Sequence, residues 1–267
     1  MRFGTPGARA ALLLHCSLGH SGGWAGVMGA LRTPMDALAF DQPGHGRAPD
    51  WDGAGDYHDA VTAQAAALLE GPAVVIGHSF GATVALRLAQ EHARAVAALV
   101  LIEPVLFAAA RGDPRHGAHQ ASEAAFTAAM RGGDHARAAE AFLARWGDGT
   151  PWAALPPPVR DRLAAQMPLI AAAAPALNED GAGLLGPGRL ERTACPVLLL
   201  RGAASPPVTA AITESLARRL PRVTCDVITG AGHMLPLTHP AEVAAQIDDF
   251  LEAPATETVP PGPTAAR

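Results

Sequence analysis

The stretch AVVIGHSFGATVALRLA, residues 73–89, decides the fold of this chain. It opens with an apolar run that reaches Gly77, and such a run is typical of a strand buried on both faces of a parallel sheet. After the three residues HSF, Gly81 opens a second stretch whose apolar residues follow helical spacing. A serine between two glycines at a strand-to-helix turn predicts a sharp, strained bend that exposes the hydroxyl of Ser79.

Similar apolar runs lie on both sides of this stretch and alternate with helical segments. The alternation is typical of a mostly parallel sheet with helices on both faces, and it predicts an α/β fold with about six strands. The predicted strands span residues 10–15, 35–40, 73–77, 97–103, 196–201 and 222–228. The predicted helices that cover the sheet span residues 23–32, 57–69, 81–91, 208–219 and 240–251.

The interval from residue 105 to residue 190 breaks the alternation, because it contains no convincing strand. Alanine-rich segments of helical character lie near residues 121–130, 136–146 and 158–174. The sequence therefore predicts a helical lid at residues 105–190, inserted into a core made of residues 1–104 and 191–252. The proline- and threonine-rich tail, residues 253–267, is predicted to be disordered.

Composition narrows the possible functions. The chain has 267 residues and a net charge of −5, and its arginines are dispersed, so it lacks the basic surface typical of nucleic-acid binding. No apolar run reaches the roughly 18 residues that span a bilayer, and the N-terminus lacks a signal-peptide layout, so a cytoplasmic location is expected. The three cysteines follow neither a disulfide nor a metal-site spacing. We expect a small-molecule substrate, no cofactor and no metal, while the oligomeric state stays open.

Four motifs resemble those of the α/β-hydrolase family and occur in that family's order, so the resemblance covers residues 10–251. Two departures stand out. Cys16 stands where the family's oxyanion loop usually has the first glycine of His-Gly-x-x-Gly, and the short segment before the first predicted strand implies that the N-terminal hairpin is missing or reduced. The motifs are LLLHCSLGHSGGW (residues 12–24), AFDQPGHGRAPDW (residues 39–51), GHSFG (residues 77–81) and TGAGHMLPLTHP (residues 229–240).

The resemblance implies the roles of four residues. Ser79 is the nucleophile and His233 the general base, in agreement with chemistry, because a serine hydroxyl is a poor nucleophile until an imidazole takes its proton. The backbone amides of Ser17 and Phe80 form the oxyanion hole.

Other polar residues in these motifs receive structural roles. We interpret His78, beside the nucleophile, as a packed core histidine, and His15 as a hydrogen-bonding partner of the oxyanion loop. Asp41 and His45 belong to a turn that is usually structural in the family. For His20, contact with substrate and exposure to solvent are equally consistent with the sequence.

The catalytic acid is absent from the position where the family commonly has an aspartate, a few residues after the glycine that ends the penultimate strand. Here Gly202 is followed by AASPP, residues 203–207, which contain no carboxylate. Three explanations stay open. The acid comes from another strand, the chain has lost activity, or a water or Ser205 orients the histidine.

Glu103 is the best substitute, since it ends the predicted strand at residues 97–103. In this topology that strand lies beside the one ending at Gly202, about 4.8 Å away, and glutamate is one methylene longer than aspartate. Many relatives also carry a strand-end acid here that only holds a loop. Four further acids have no spacing that would bring them to His233, namely Asp226, Glu191, Glu179 and Asp180.

The leading functional hypothesis is hydrolysis of an ester or similar acyl bond of a small, largely apolar substrate through an acyl-enzyme, most simply by a carboxylic ester hydrolase. Two alternatives remain: a C–C bond hydrolase of a dienoic keto acid, with Arg189, Arg192 or lid arginines for the carboxylate, and a weak or inactive pocket protein of the same fold. The predicted substrate pocket is lined by Leu18, Trp24, Trp146 and Met234.

Overall fold

A seven-stranded sheet forms the centre of the computed structural model, which describes residues 1–253. The strands stand in the order β1-β3-β2-β4-β5-β6-β7, and every neighbouring pair is parallel except β1 with β3. The strands are β1 (Arg2–Gly4), β2 (Arg9–Leu14), β3 (Met35–Ala39), β4 (Ala73–His78), β5 (Val96–Ile102), β6 (Val197–Gly202) and β7 (Val223–Ile228). The predicted mostly parallel α/β fold is confirmed.

Helices connect the strands. The α-helices are α1 (Ala25–Ala30), α2 (Tyr57–Ala67), α3 (Phe80–Glu91), α4 (Pro114–Ser122), α5 (Ala124–Arg131), α6 (His135–Trp146), α7 (Pro157–Ala165), α8 (Met167–Glu179), α9 (Pro207–Ala217), α10 (Leu235–Thr238) and α11 (Pro240–Glu252). Short 3-10 helices span Ser21–Trp24, Ala93–Ala95, Phe107–Ala110 and Trp152–Ala154.

Two apolar layers cover the sheet, because successive side chains of a strand point to opposite faces. Leu12 and Leu14 of β2 belong to the larger layer, which includes residues of α2, α3 and α9. Leu13, between them, belongs to the second layer with Val243 and Ile247 of α11. The continuous apolar runs of the sequence therefore have partners on both sides.

The sheet has six mutually parallel strands and one further strand, β1, at its edge. β1 is antiparallel to β3, with Phe3 opposite Ala37, so the N-terminal hairpin is reduced to one short strand rather than missing. Its residues RFG are exposed or half-buried and give no apolar pattern. This strand is defined by its backbone pairing with β3, so the pattern of its side chains does not predict it.

Residues 105–190 contain α4 to α8 and, within this fully described interval, no strand. The helices are more numerous than the three predicted segments, because α4 was not predicted and the segment near residues 158–174 is divided at Gln166. A separate small apolar cluster joins α5, α6, α7 and α8, with Ala138, Leu163 and Met167 among its buried members. That this region acts as a lid over the serine stays a prediction.

Two expectations from the sequence meet the structure differently. The tail predicted to be disordered is residues 253–267, and all of it except Ala253 lies outside the described residues. Among residues 1–253, no helix combines the length and the apolar character needed to cross a membrane.

Candidate active site

The turn between β4 and α3 has the strain that its sequence predicts. Ser79 has φ 57° and ψ −117°, a conformation that residues with a side chain rarely adopt. A Cβ atom added at Gly77 would lie 2.3 Å from the carbonyl oxygen of Gly81, and one added at Gly81 would lie 2.4 Å from that of Leu14. Gly77 is therefore required for the tightness of the turn itself, and Gly81 for the close approach of the turn to β2.

Three side chains from different parts of the chain meet beside this turn. The Ser79 hydroxyl donates to Nε2 of His233 over 3.0 Å, and Nδ1–H of His233 donates to Oε2 of Glu103 over 2.9 Å. Because a carboxylate only accepts, the bond to Glu103 fixes the ring in the form whose Nε2 is free to accept the serine proton. All three are buried, with Ser79 6%, His233 5% and Glu103 0% exposed.

Both oxygens of Glu103 have partners. Oε1 accepts a hydrogen bond of 2.8 Å from the backbone amide of Gly202, the glycine that ends β6. The Glu103 amide in turn donates to the carbonyl of Leu200 on the same strand. The end of β6, after which the family commonly has its acid, thus donates a hydrogen bond to Glu103, which follows the neighbouring strand β5.

The other acids considered from the sequence have different contacts or places. Glu191 pairs with Arg219 at 2.7 Å. Asp180 accepts from the amides after α8, including that of Leu184 at 2.7 Å, and Glu179 is the last residue of that helix. Asp226 lies on the edge strand β7. The structure brings Glu103 and none of these four to His233.

The predicted oxyanion donors come from two elements, since Ser17 lies in the loop after β2 and Phe80 is the first residue of α3. The amides of Ser17 and Phe80 donate to no other group within residues 1–253. The loop is bent at Leu18, where φ is 62° and the amide donates to Nε2 of His45 over 3.0 Å. Cys16 is buried, which raises the pKa of its thiol to about 12, so it stays protonated at neutral pH and is a poor nucleophile.

Hydrogen bonds of the His15 side chain hold the oxyanion loop in place. Nδ1–H of His15 donates to the Cys16 carbonyl over 2.7 Å, and its Nε2 accepts from the Gln42 amide. Burial, and then the nearby His45, lower the pKa of His15 to about 3, so its ring is neutral. His15 and His45 therefore have the supporting contacts that the sequence analysis assigned to them.

Asp41 supports the far end of the same loop. Its carboxylate accepts from the amides of Ser21 at 2.6 Å and Arg47 at 2.9 Å. Burial opposes ionisation of Asp41, but these two bonds outweigh it and lower its pKa to about 2. His20 is exposed, and its Nδ1 accepts from the Gly22 amide, while the ring also borders the cavity described next.

A cavity of about 300 Å³ lies beside the serine. All four predicted pocket residues, Leu18, Trp24, Trp146 and Met234, line it. Ser79 is not itself a lining residue, but its chain neighbour His78 is, and so is Trp146, whose ring approaches that of His233. The sequence analysis missed the contribution of α6, α7 and the segment between them, which is Phe142, Leu143, Asp148, Thr150, Leu155, Arg162 and Leu163.

The sequence analysis also missed a contact of His78. This histidine lies in the core as predicted, yet Nε2–H donates to the backbone carbonyl of His233 over 2.9 Å. Trp146 approaches the His233 ring from α6, with ring centroids 4.8 Å apart at an interplanar angle of 71°. No local signal marks either contact, because the partners are far apart in sequence.

Among residues 1–253, no group of three or more His, Cys, Asp or Glu side chains is arranged to hold a metal ion.

A mostly parallel sheet with a serine at a strand-to-helix turn defines a class of hydrolases. The chain belongs to the α/β-hydrolase family, since the model of that family matches residues 11–246.

Comparison with known proteins finds a relative that matches part of the chain. Lipase LipV of Mycobacterium tuberculosis is 39% identical over 109 residues, which are 39% of this chain and 41% of the lipase. The match thus spans about two fifths of the length of that relative.

Solved structures share the fold at low sequence identity. An esterase from Thermogutta terrifontis has a TM-score of 0.68 at 24% identity, covering 94% of this chain and 91% of that chain. MenH from S. aureus has a TM-score of 0.70 at 18% identity, covering 94% and 96% of the two chains. At such identities these likenesses establish the fold and leave the substrate to the site itself.

Proposed function

We propose that the protein is a serine hydrolase that cleaves an ester or similar acyl bond of a small, largely apolar substrate. The observation that carries the proposal is the hydrogen-bonded line from Ser79 through His233 to Glu103. Each bond in that line has the donor and acceptor that proton transfer requires. The names of relatives, a lipase and an esterase, agree with this class of reaction.

The geometry supports a two-step mechanism. The Ser79 oxygen attacks the carbonyl carbon of the substrate while its proton passes to Nε2 of His233. Negative charge develops on the carbonyl oxygen, and the free amides of Ser17 and Phe80 stabilise it. His233 then gives the proton to the leaving alkoxide, so that an alcohol departs and the acyl group stays on Ser79.

The second step reverses these roles. A water molecule attacks the acyl-enzyme while His233 takes its proton, and the serine leaves with that proton restored. Glu103 stays ionised throughout and stabilises the imidazolium that forms in each step. Because Glu103 is fully buried and holds the Gly202 amide, it also keeps the ring in one orientation.

We assign residues 105–190 as a lid that supplies one wall of the acyl site. Phe142 and Leu143 of α6 and Leu163 of α7 line the cavity, and Trp146 at the end of α6 contacts His233. These side chains are apolar or aromatic, which favours the uncharged part of a small substrate. The cavity volume of about 300 Å³ is at the small end for ligand pockets.

The test uses activated esters and a serine-directed phosphonate. The wild-type protein is expected to hydrolyse short p-nitrophenyl esters and to form a phosphonate adduct located on Ser79 by mass spectrometry. The Ser79→Ala variant is expected to fold and to lose both properties. Ser215→Ala, in α9 and away from the residues that line the cavity, serves as the matched control and is expected to keep both.

Activity that survives in Ser79→Ala, or an adduct on another residue, would contradict this assignment. A wild-type protein with neither turnover nor adduct would favour the alternative of an inactive pocket protein with the same fold.

One observation favours a second candidate, the C–C hydrolase of a dienoic keto acid. Such a substrate needs a cation for its carboxylate, and Arg162 of α7 lines the cavity. Arg189, considered from the sequence, instead bonds Gln90 and lies 3.7 Å from Glu91. Asp148 also lines the cavity and opposes an anion there, so the ester hydrolase remains the better supported function.

A further inference from the structure

His78, the histidine inside the nucleophile turn, makes a contact that the mechanism above does not use. It is 3% exposed, and its Nε2–H donates to the carbonyl oxygen of His233 over 2.9 Å. Burial, and then the neighbouring His233, lower the pKa of His78 to about 3, so the ring is neutral at pH 7. Because a carbonyl only accepts, Nε2 of the neutral ring carries the proton and the bond persists across the neutral pH range.

This bond joins the serine segment and the histidine segment a second time. The first junction is the side-chain bond from Ser79 to Nε2 of His233, at 3.0 Å. The second runs from the side chain of the residue before Ser79 to the backbone of His233 itself. Glu103 holds the same ring at Nδ1, so both ring nitrogens have partners, and the bond from His78 adds a restraint on the backbone of His233 that the side-chain bonds do not supply.

The histidine loop needs such a restraint. It carries Gly230, with φ 78°, and Gly232, and glycines leave the backbone more conformational freedom than other residues do. The loop after β6 also bonds the backbone of the histidine loop, since the Ala204 amide donates to the Ala231 carbonyl over 2.8 Å. That bond lies two residues before His233 and does not set the direction of the imidazole.

The ring of His233 is also confined by aromatic neighbours. The ring of His78 lies 5.2 Å from it, centroid to centroid, and the ring of Trp146 lies 4.8 Å from it. Small displacements matter here, because moving a reacting group by 1 Å can lower the rate about 100-fold.

We propose that His78 is a positioning residue, which holds His233 in line with the Ser79 hydroxyl through its bond to the His233 carbonyl. The inference rests on the proposed function, since it assigns His233 as the base that activates the serine. It differs from the interpretation of His78 as core packing in one respect. A packing residue contributes stability, whereas a positioning residue contributes to the rate of each folded molecule.

Two substitutions separate these roles. His78→Gln keeps an amide N–H near the place of Nε2, so the bond to the carbonyl is retained. His78→Leu fills similar space and removes the donor. His58→Leu is the matched control, because His58 is another buried, neutral histidine, and it bonds Thr83 and not His233.

The measurements are kcat and KM on a short p-nitrophenyl ester and the second-order rate of phosphonate labelling at Ser79, each normalised to the folded fraction from thermal unfolding. For His78→Leu we expect kcat and the labelling rate to fall about 10- to 100-fold with KM changed less than about threefold. His78→Gln is expected to stay within about threefold of wild type, and His58→Leu to lose thermal stability without losing kcat.

A readout that needs no turnover is the proton NMR signal of the His233 Nδ1–H that Glu103 holds. We expect it to be sharp in the wild type and in His78→Gln, and broadened or lost in His78→Leu. The positioning role is overturned if folded His78→Leu keeps the wild-type labelling rate and NMR signal, or if His78→Gln falls as far as His78→Leu. Should the wild type fail to hydrolyse esters while the labelling and NMR differences hold, the proposed ester chemistry is wrong and the positioning role stands.

Discussion

At the scale of single residues, Glu103 combines backbone strain with a fully bonded side chain. Its φ of 50° is in the left-handed region that glycine favours. Such a conformation persists where surrounding contacts fix the residue, and both carboxylate oxygens of Glu103 are held, one by the Gly202 amide and one by His233. The strain is a further reason to assign Glu103 a role in the site.

The first prediction concerns this carboxylate. Glu103→Gln can still accept from the Gly202 amide, but its amide group no longer balances the charge of an imidazolium or favours the correct tautomer of His233. We expect the variant to fold and its kcat to fall on the order of 10³- to 10⁴-fold, as for the acid of a related triad. Ester turnover and thermal unfolding, measured on the same preparation, check both parts.

Two companion variants make the result specific. Glu191→Gln removes an acid whose partner is Arg219, outside the triad, and is expected to keep wild-type turnover. Adding Ala204→Asp to Glu103→Gln puts a carboxylate back in the loop after β6 and is expected to restore part of the loss. Wild-type turnover in Glu103→Gln would mean that His233 needs no charged partner.

The site residues differ in how far the sequence alone predicts them. Ser79 and His233 lie in short glycine-containing motifs, which the sequence alone identifies from their residues and their order along the chain. Glu103 is predicted only by adding the topology, because it is the adjacency of two strands that brings it near His233. The bond from His78 to the His233 carbonyl spans 155 residues and has no counterpart in any local pattern.

At the scale of secondary-structure elements, apolar strands were predicted well and short or polar elements poorly. The strands β2, β4, β5 and β6 have continuous apolar runs, whereas β1 is three mostly exposed residues held by pairing with β3. The segment predicted as one helical stretch near residues 158–174 is two helices, α7 and α8, because the chain turns at Gln166. Alanine-rich sequence gives helical character without marking where a helix ends.

The second prediction tests α7 as a wall of the acyl site. Leu163 lines the cavity and belongs to the small apolar cluster of residues 105–190. Leu163→Trp adds bulk that shortens the cavity, and a misfit by a methylene or more costs about 10- to 200-fold in selectivity. We therefore expect kcat/KM to fall at least about tenfold more for p-nitrophenyl hexanoate than for the acetate.

The control for this variant lies two residues earlier on the same helix. Asp161 is exposed and does not line the cavity, so Asp161→Trp is expected to leave the ratio of the two esters unchanged. Equal losses for both esters in Leu163→Trp would argue that α7 supports the fold and does not bound the acyl site.

At the scale of the whole molecule, several buried histidines are held neutral. Burial lowers the pKa of His15 and His78 to about 3 and that of His58 and His119 to about 4, with nearby charged or titratable groups contributing further. In the unfolded chain these rings have their ordinary pKa near 6.5. Between those values the unfolded chain binds more protons than the folded protein.

The third prediction follows from that difference. Stability is fully present above about pH 6.5 and is lost as the pH falls, by up to about 1.4 kcal/mol per pH unit for each such histidine. Urea unfolding at about pH 8, 6.5 and 5 is expected to show the decline. His58→Gln is expected to make it shallower by the share of one histidine, and a stability that stays flat to about pH 5 would contradict the assignment of neutral rings.

The neighbouring ends of β5 and β6 also offer two positions at which evolution could place the proposed catalytic acid. Glu103 and position 204 lie on adjacent strand ends, and the loop after β6 keeps its tie to the histidine loop through the Ala204 amide without carrying an acid. A chain that gains an aspartate at position 204 before losing Glu103 passes through an ancestor with two acids. Each intermediate sequence then retains at least one acid beside the histidine, so the position of the acid can change from one strand end to the next by single mutations.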